Sequence, residues 1–233
     1  MGVQMRASDR AYAILRKEVL EWELPPGTVL AEVEQSLRLG VSRTPLREAL
    51  GRLVADGLVT QSGRGVVVTD ISVDGIRELF ELRRALEEVA ARLAAMRRDA
   101  EVFMELEREF SSISDLLEND DPARHAYYGL VGRFDEAVDV AVANPYLVSA
   151  LNSVRTHLVR IRRHAKDDPS RLRAAAAEHR AIVQAIVAGD SELAAHATHL
   201  HLHNALENIL ATRSETASGI PGSPATDRAP RSA

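Results

Sequence analysis

Two histidines in the C-terminal half of the chain could act together as metal ligands or as hydrogen-bonding groups. His179 and His201 lie on successive predicted helices, and antiparallel packing of these helices could bring both imidazoles to one cavity. A neutral imidazole binds divalent metal ions, and it can also hydrogen-bond an organic acid directly. The pair is therefore compatible with either kind of site, and two histidines alone do not decide between them.

Arginine and hydroxyl side chains at the start of another predicted helix could contact DNA. Arg43 and Arg47 lie one helical turn apart, and arginine is suited to bidentate contact with guanine. Ser42 and Thr44 could bind phosphate groups at the same helix end. Arg64, flanked by glycines in a predicted turn, could reach the DNA backbone or the minor groove. The alternative for the two helical arginines is a solvated charged face.

The residue pattern around this segment predicts the elements that would position it, namely a winged helix-turn-helix in residues 1–70. Apolar residues at helical spacing predict a first helix ending near Trp22, and Gly40 is a suitable C-terminal cap for a second. A third helix carries Pro45 in its first turn, where the missing N–H is harmless. Alternating residues on both sides of a glycine-containing turn predict a β-hairpin over 58–69.

For the remainder of the chain, residues 71–213, the sequence pattern predicts an all-α antiparallel bundle of about six helices. Strand signals vanish there, and Ala, Leu, Glu and Arg recur with helical periodicity. Residues 214–233 are rich in Pro, Gly, Ser and Ala and are predicted to be a disordered tail. The fold class is therefore mainly α, with a small β-hairpin.

Composition restricts the location and the chemistry of the protein. The chain has 233 residues, 45% hydrophobic content, a net charge of −5 and no cysteine, so disulfides and thiolate metal sites are excluded. No segment has the pattern of a signal peptide or of a membrane span. These features predict a globular cytoplasmic protein without a membrane partner.

Several strings of residues resemble the GntR family of transcriptional regulators. The strings PPGTVL, GVSRTPLREALGRLVADGLV and GRGVVV resemble its winged helix. The strings ELFELRRALEEVAARLAA, FDEAVDVAVANPYL, EHRAIVQAIVAGD and HATHLHLH resemble the helical FCD domain of the FadR subfamily. The resemblance extends over about residues 10–212. It implies a homodimeric regulator, usually a repressor, that binds double-stranded operator DNA of pseudo-palindromic sequence and responds to a small metabolite.

The resemblance also implies roles for individual residues in the DNA-binding domain. It places Arg43, Thr44, Pro45, Arg47 and Gly65 at DNA-contacting positions.

In the helical domain the resemblance implies a ligand set that this chain retains only in part. His179 and His201 match metal-ligand positions, whereas Asp135 stands where the family has a histidine and Val131 where it has an acid. Asp135, His179 and His201 could hold one divalent ion per subunit, namely zinc, manganese or nickel. The alternative is a metal-free pocket for a small organic acid. Arg83 is at a position that often faces this pocket, and it could clamp a carboxylate or form a surface ion pair with Glu87.

Two other functions compete with a metabolite-responsive regulator. The Asp/His/His cluster could belong to a metal-dependent hydrolase, but no distinct catalytic base accompanies it and the first 70 residues indicate DNA binding. An architectural DNA-binding protein without an effector is the second alternative. We therefore expect a regulator and not an enzyme.

Overall fold

The computed structural model describes residues 5–63, 65–116, 121–164 and 169–218. In these ranges a small sheet with three helices precedes a set of helices. The N-terminal elements are α1 (Ala7–Leu20), β1 (Val29–Leu30), α2 (Glu32–Leu39), α3 (Arg43–Ala55), β2 (Val59–Ser62) and β3 (Gly65–Val68). The C-terminal elements are α4 (Val73–Arg97), α5 (Ala100–Leu116), α6 (Asp121–Val142), α7 (Pro145–His164), α8 (Pro169–Ala188) and α9 (Ser191–Ser218).

The N-terminal elements form a winged helix, as the sequence predicts. The sheet order is β1-β3-β2 with both pairs antiparallel, and the β2–β3 pair is the predicted hairpin. Strand β1 was not predicted, because two residues are too few for an alternating pattern. Leu15 of α1, Leu46 and Leu53 of α3, and Leu58 are fully buried beneath this sheet and between the helices. This core fixes α3 against the sheet.

The ends of the short helices agree with their predicted signals, except that α1 ends earlier than expected. Gly40 closes α2 in the left-handed conformation, with φ at 61°. Ser42 occupies the N-cap position of α3, but its side chain makes no capping hydrogen bond. Helix α1 ends at Leu20, slightly before Trp22, which itself adopts a positive φ of 62°.

The C-terminal elements form the predicted helical domain. Helix α4 packs along α9, and α8 packs against both α5 and α9. Small residues make these contacts possible, because Ala94 of α4, Ala176 of α8 and Ala194 of α9 are fully buried and let the helix backbones approach closely. Around them, Phe103 and Phe110 of α5 fill the core.

The last helix is longer than expected. Helix α9 continues to Ser218, so the predicted tail boundary is wrong for residues 214–218. Glu215 and Ala217 are good helix formers, and the first strong helix breaker is Gly219. Residues 219–233 of the predicted tail lie outside the described residues. None of the described helices is both long and apolar enough to cross a membrane.

Candidate functional site

The first turn of α3 presents the residues predicted to contact DNA at the protein surface. Ser42, Arg43, Thr44 and Arg47 are exposed, and Pro45 is half-buried. The buried side chains of the same helix face the winged-helix core, so the opposite face is directed to solvent. The predicted set is therefore gathered at one exposed helix end, which is the part of a recognition helix that enters the major groove.

Arg47 is held by a carboxylate of the preceding helix. Its Nε lies 3.0 Å from Oε1 of Glu32, and its Nη2 lies 2.9 Å from Oε2. The hydrogen bond to Glu32 raises the pKa of Arg47, so this group stays charged. Because the pair is exposed, exchange of the carboxylate for a DNA base or phosphate costs little. Glu32 thus orients Arg47 and leaves its guanidinium group available for contact with DNA.

The tip of the wing contains a glycine with a conformation that other residues rarely adopt. Gly65 begins β3 with a φ of 108° and is exposed. It pairs with Ser62 across the hairpin, and the Ser62 hydroxyl donates to its carbonyl oxygen at 3.2 Å. Arg64 lies outside the described residues.

A cavity of about 230 Å³ lies among the helices of the C-terminal domain. Five helices contribute to its wall with Arg83 of α4, Asp135 of α6, Arg155 of α7, His179 of α8 and His201 of α9. The three predicted metal ligands and the predicted effector-binding arginine therefore line one space. The volume suits a small metabolite better than a large ligand.

The two predicted histidines are in ring contact. The ring centroids of His179 and His201 are 4.3 Å apart, and both residues are buried. His179 Nδ1 lies 2.8 Å from the carbonyl oxygen of Ala175, and His201 Nδ1 lies 2.7 Å from Oε2 of Glu178. A carbonyl oxygen and an ionised carboxylate only accept hydrogen bonds, so both Nδ1 atoms carry the proton. Nε2 is then the acceptor atom of each ring.

Glu178 anchors His201 through a charged network behind the cavity. The carboxylate also accepts hydrogen bonds from Arg171, at 2.7 and 2.9 Å, and from Asn204 at 2.8 Å. Burial opposes its ionisation, but His201, Arg171 and Asn204 outweigh burial and lower the pKa of Glu178 to about 2. Burial lowers the pKa of His201, which favours the neutral ring, although Glu178 opposes this shift.

Arg83 is both a cavity residue and a partner of Glu87. Its side chain is 4% exposed, its Nε lies 2.8 Å from Oε1 of Glu87, and its guanidinium group lies over the ring of Phe80. Burial opposes ionisation of Glu87, but Arg83 outweighs it and lowers the pKa of this carboxyl. The ion pair expected between the two residues exists, and it lies in the cavity wall instead of on the surface.

Arg155 joins two carboxylates of α6. Its Nη1 lies 2.7 Å from Oδ2 of Asp139, and its Nη2 lies 3.4 Å from Oδ1 of Asp135. Burial disfavours the charge of Arg155, but the two carboxylates outweigh burial and raise its pKa. Sequence reasoning missed Arg155 and Glu178 because their cavity partners lie on other helices, and no local spacing signals such a contact.

The predicted metal ligands do not assemble a three-ligand group. In the described ranges no three His, Asp or Glu side chains are arranged to hold a metal ion. Asp135 is directed to Arg155, and Val131, at the position where the family resemblance expects an acid, is a buried apolar residue of the cavity wall. The donor set therefore does not fit a complete metal site in this conformation.

Helix α7 also contacts the winged helix. Arg160 donates to the hydroxyl of Thr69 at 2.9 Å and to its carbonyl oxygen at 2.6 Å. The indole of Trp22 donates to the carbonyl oxygen of Arg160 at 3.0 Å, and Arg16 donates to the hydroxyl of Thr156 at 3.0 Å. These contacts connect the domain that carries the cavity with the domain that carries α3.

Comparison with known proteins agrees with this two-part organisation. Residues 7–68 match the family model "Bacterial regulatory proteins, gntR family", and residues 78–204 match the FCD domain. The chain is 34% identical over 188 residues to the "Probable D-xylose utilization operon transcriptional repressor" of Paenarthrobacter nicotinovorans, covering 79% of this chain and 80% of that protein. It is 39% identical over 89 residues to the repressor RspR of Escherichia coli, covering 38% of this chain and 39% of that protein.

The fold is also found in a solved structure. E. coli McbR/YncC is similar with a TM-score of 0.69 at 20% identity, over 91% of this chain and 100% of that one. The winged helix, the helical domain and the two family matches exclude the hydrolase interpretation. The chain therefore belongs to the GntR family of bacterial transcriptional regulators, with an FCD domain after its DNA-binding domain, and it is not an enzyme.

Proposed function

We propose that this regulator is a repressor that binds a pseudo-palindromic operator as a homodimer, and that a small carboxylate effector in the helical cavity changes its affinity for DNA. The observation that carries the proposal is the position of α7. This helix lines the cavity with Arg155 and contacts the DNA-binding domain with Thr156 and Arg160. A ligand in the cavity and the winged helix would therefore both contact the same helix, α7.

The DNA-binding half of the proposal rests on the exposed end of α3. Arg43 and Arg47 can each contact guanine, and Ser42 and Thr44 can position the helix on phosphates. A dimer would place two such helices in successive major grooves, about 34 Å apart. The relatives include proteins named as repressors, which favours repression over activation.

The homodimer requires a surface for a second copy, and α4 offers one. Leu82, Val89 and Met96 are spaced by seven residues and are 49%, 43% and 60% exposed. Residues at this spacing lie along one side of a helix, which suits pairing with another helix. We therefore expect α4 to contribute to the subunit contact.

The effector half of the proposal rests on two arginines of the cavity wall, the buried Arg83 and the half-buried Arg155. A guanidinium group in a pocket can clamp a carboxylate with two hydrogen bonds. A ligand that draws Arg155 away from Asp135 or Asp139 would shift α7, and with it the contacts of Arg160 to Thr69. A shift of an ångström or two is enough to misplace a recognition helix against its half-site.

A metal ion held by Asp135, His179 and His201 stays a prediction. The Nε2 atoms of the two histidines are suitable ligands, and the hydrogen bonds from their Nδ1 atoms are typical of metal-bound histidine. No step of the proposed mechanism uses a metal. Elemental analysis of protein purified without added metal tests the prediction: about one divalent ion per subunit would support it, and metal-free protein would contradict it.

Selection from a library of random DNA sequences tests the proposed function. The full-length protein should enrich an inverted repeat with half-site centres about 10 base pairs apart, as a dimer with one turn of spacing requires. Native mass spectrometry of the DNA complex should give two chains for each duplex. Enrichment of single half-sites bound by one chain, or the absence of enrichment, would overturn the proposed mode of binding.

A further inference from the structure

Three histidines of α9 lie on the surface of the protein, outside the cavity. His196, His199 and His203 are exposed, whereas His201 is buried in the cavity wall. His199 and His203 are four residues apart, so their side chains leave the helix about 40° apart and one turn from each other. The two residues therefore share one face of α9, and their Cβ atoms are roughly 5–6 Å apart.

This spacing allows two imidazoles to bind the same ion. Two histidines at positions i and i+4 on one face of a helix are the ligand pair of a common helical zinc motif. His199 and His203 both lie well inside α9, so the helix fixes their relative position. The spacing alone does not assign a site, because a solvated helix face also carries exposed histidines. A second observation, on the neighbouring helix, supports the assignment.

A hydrogen bond to α4 prepares His199 to act as a ligand. Nδ1 of His199 lies 2.8 Å from Oε1 of Glu88, and the side chain of His199 is still 54% exposed. A carboxylate accepts hydrogen bonds, so Nδ1 carries the proton and Nε2 has the free lone pair. Histidines that bind metals commonly donate their other ring N–H to a carboxylate, which orients the ring and raises its basicity. Glu88 thus gives His199 the tautomer and the support of a metal ligand.

His203 can move without losing an existing interaction. Within the parts of the chain that the structure describes, no hydrogen bond, ion pair or ring contact engages its side chain. The ring can therefore turn toward an ion that is bound by His199. Because both residues are exposed, an ion reaches the pair directly from solvent.

The donor atoms define the class of ion. Imidazole nitrogens are suitable ligands for zinc, nickel and copper ions. Among the described residues no third His, Asp or Glu completes a cluster with this pair, so water would fill the remaining coordination positions. Two protein ligands make an open, reversible site, unlike the closed four-ligand sites of structural zinc.

We propose that His199 and His203 form a surface site on α9 that binds one divalent transition-metal ion, of zinc, nickel or copper. The ion binds Nε2 of His199 and one ring nitrogen of His203, and Glu88 is a positioning residue that acts through His199. The site is separate from both the helical cavity and the exposed end of α3. It therefore adds a metal-binding property to the proposed regulator and does not depend on the effector.

Calorimetric titration with zinc and with nickel ions tests the proposal on the full-length protein after removal of metal by a chelator. At pH 7.5, where imidazole is largely neutral, the parent protein should bind an ion whose affinity falls at least tenfold in His199→Asn and in His203→Asn. His196→Asn, another exposed change on α9, is the matched control and should leave the affinity unchanged. No binding to the parent protein, unchanged affinity in both site variants, or a loss in His196→Asn in place of His203→Asn would overturn the proposal.

Substitution of Glu88 tests its positioning role. Loss of a carboxylate that supports a metal-binding histidine costs about 10- to 100-fold in metal affinity, so Glu88→Ala should weaken binding by about this factor. Glu88→Gln keeps an oxygen acceptor for Nδ1 and should retain more of the affinity. Glu101→Gln, an exposed change on α5, is the control, and the Tm of each metal-free variant shows that it is folded. Equal affinity of Glu88→Ala and the parent protein would contradict the role of this carboxylate.

A metal ion in the cavity would give a different pattern in the same titrations. An ion held by His201 in the cavity wall would remain bound in His203→Asn, because His203 is exposed to solvent. Binding that is lost in His201→Asn and unaffected in His203→Asn would therefore place the ion in the cavity and overturn the surface site. Binding that is lost in His203→Asn and retained in His201→Asn is the result that the proposal predicts.

Discussion

Arg160 of α7 donates two hydrogen bonds to Thr69, at 2.9 Å to its hydroxyl and at 2.6 Å to its carbonyl oxygen. Thr69 directly follows the last strand of the winged helix, and its hydroxyl also donates to the carbonyl oxygen of Gly57. Arg160 is 1% exposed, so these contacts are shielded from water. The helical domain therefore holds the DNA-binding domain at the point where the chain passes from one to the other.

Replacement of Arg160 by glutamine should loosen this connection. The carbonyl oxygen of Thr69 would lose its buried donor, and an unsatisfied buried group costs about 1–3 kcal/mol. Differential scanning calorimetry should show a lower Tm and a separation of the unfolding of the two domains. Arg173→Gln, on the exposed face of α8, is the control and should leave the transition unchanged. A single transition with the Tm of the parent protein in the Arg160 variant would contradict the role assigned to this contact.

Replacement of Arg47 by alanine should reduce both affinity for the operator and discrimination between sequences. Loss of a bidentate guanine contact weakens binding roughly tenfold to hundredfold at the cognate site and less on random DNA. Fluorescence anisotropy with both DNAs measures the two effects. Glu32→Gln removes the partner of Arg47 without removing the guanidinium group, so it should retain discrimination. Equal weakening on cognate and random DNA would mean that Arg47 contacts only phosphate.

Gly57 should not tolerate a side chain. Its φ of 71° is in the left-handed region, and an added Cβ would lie 3.2 Å from Cε1 of His157 on α7. The conformation alone costs a non-glycine residue about 1–2 kcal/mol, so Gly57→Ala should lower the free energy of unfolding by at least this amount. Gly51→Ala, in the interior of α3 with open space around it, should instead raise stability by roughly 0.5–1 kcal/mol. Denaturant titration compares the two variants, and similar effects would contradict this account.

The connection between the domains should weaken as the pH falls below neutrality. Burial lowers the pKa of His157 and nearby Arg160 lowers it further, while a hydrogen bond with the backbone of Asp56 opposes both. Asp70 and Glu78 border the same space. With a folded pKa below the ordinary value of 6.5, the unfolded chain takes up the proton first, so stability decreases as the pH falls through that value.

The variant His157→Gln isolates this effect from other titrating groups. Unfolding free energies of the parent protein and the variant should be measured between pH 7.5 and pH 5.5. The parent protein should lose more stability than the variant over this interval, because the variant lacks the lowered pKa of His157 and retains the other titrating groups. Parallel pH dependences of the two proteins would show that His157 does not contribute.

The main features of the fold were predictable because they have local signals. Pro45 in a first turn, Gly40 after a helix and the alternating residues of the wing each act over a few positions, and the structure confirms these elements. Strand β1 has only two residues, and its existence depends on pairing with Val66 and Val67, which lie far away in the sequence. Such a long-range contact produces no alternating pattern of apolar and polar residues in the strand itself.

The candidate site was predictable only in part, for the same reason. His179, His201 and Arg83 were placed at one pocket through a family resemblance, and all three line the cavity. The pairing of Arg155 with Asp135 joins α7 to α6 and has no signature in either helix, so the charge that now faces Asp135 was not anticipated. Only Arg83 and Glu87, which lie one turn apart, had a spacing that indicated their ion pair.

If occupancy of the cavity controls DNA binding through α7, as proposed, a ligand of the cavity must change the affinity of the protein for its operator. The compound that gives the largest rise in Tm in a metabolite screen is added to the protein and its selected operator, and the Kd for DNA is measured by fluorescence anisotropy. We expect a change in Kd of at least fivefold in the parent protein, and a much smaller change in Arg160→Gln although this variant still binds the compound. A compound that binds in the cavity and leaves the operator Kd unchanged in the parent protein would show that α7 does not couple the cavity to the DNA-binding domain.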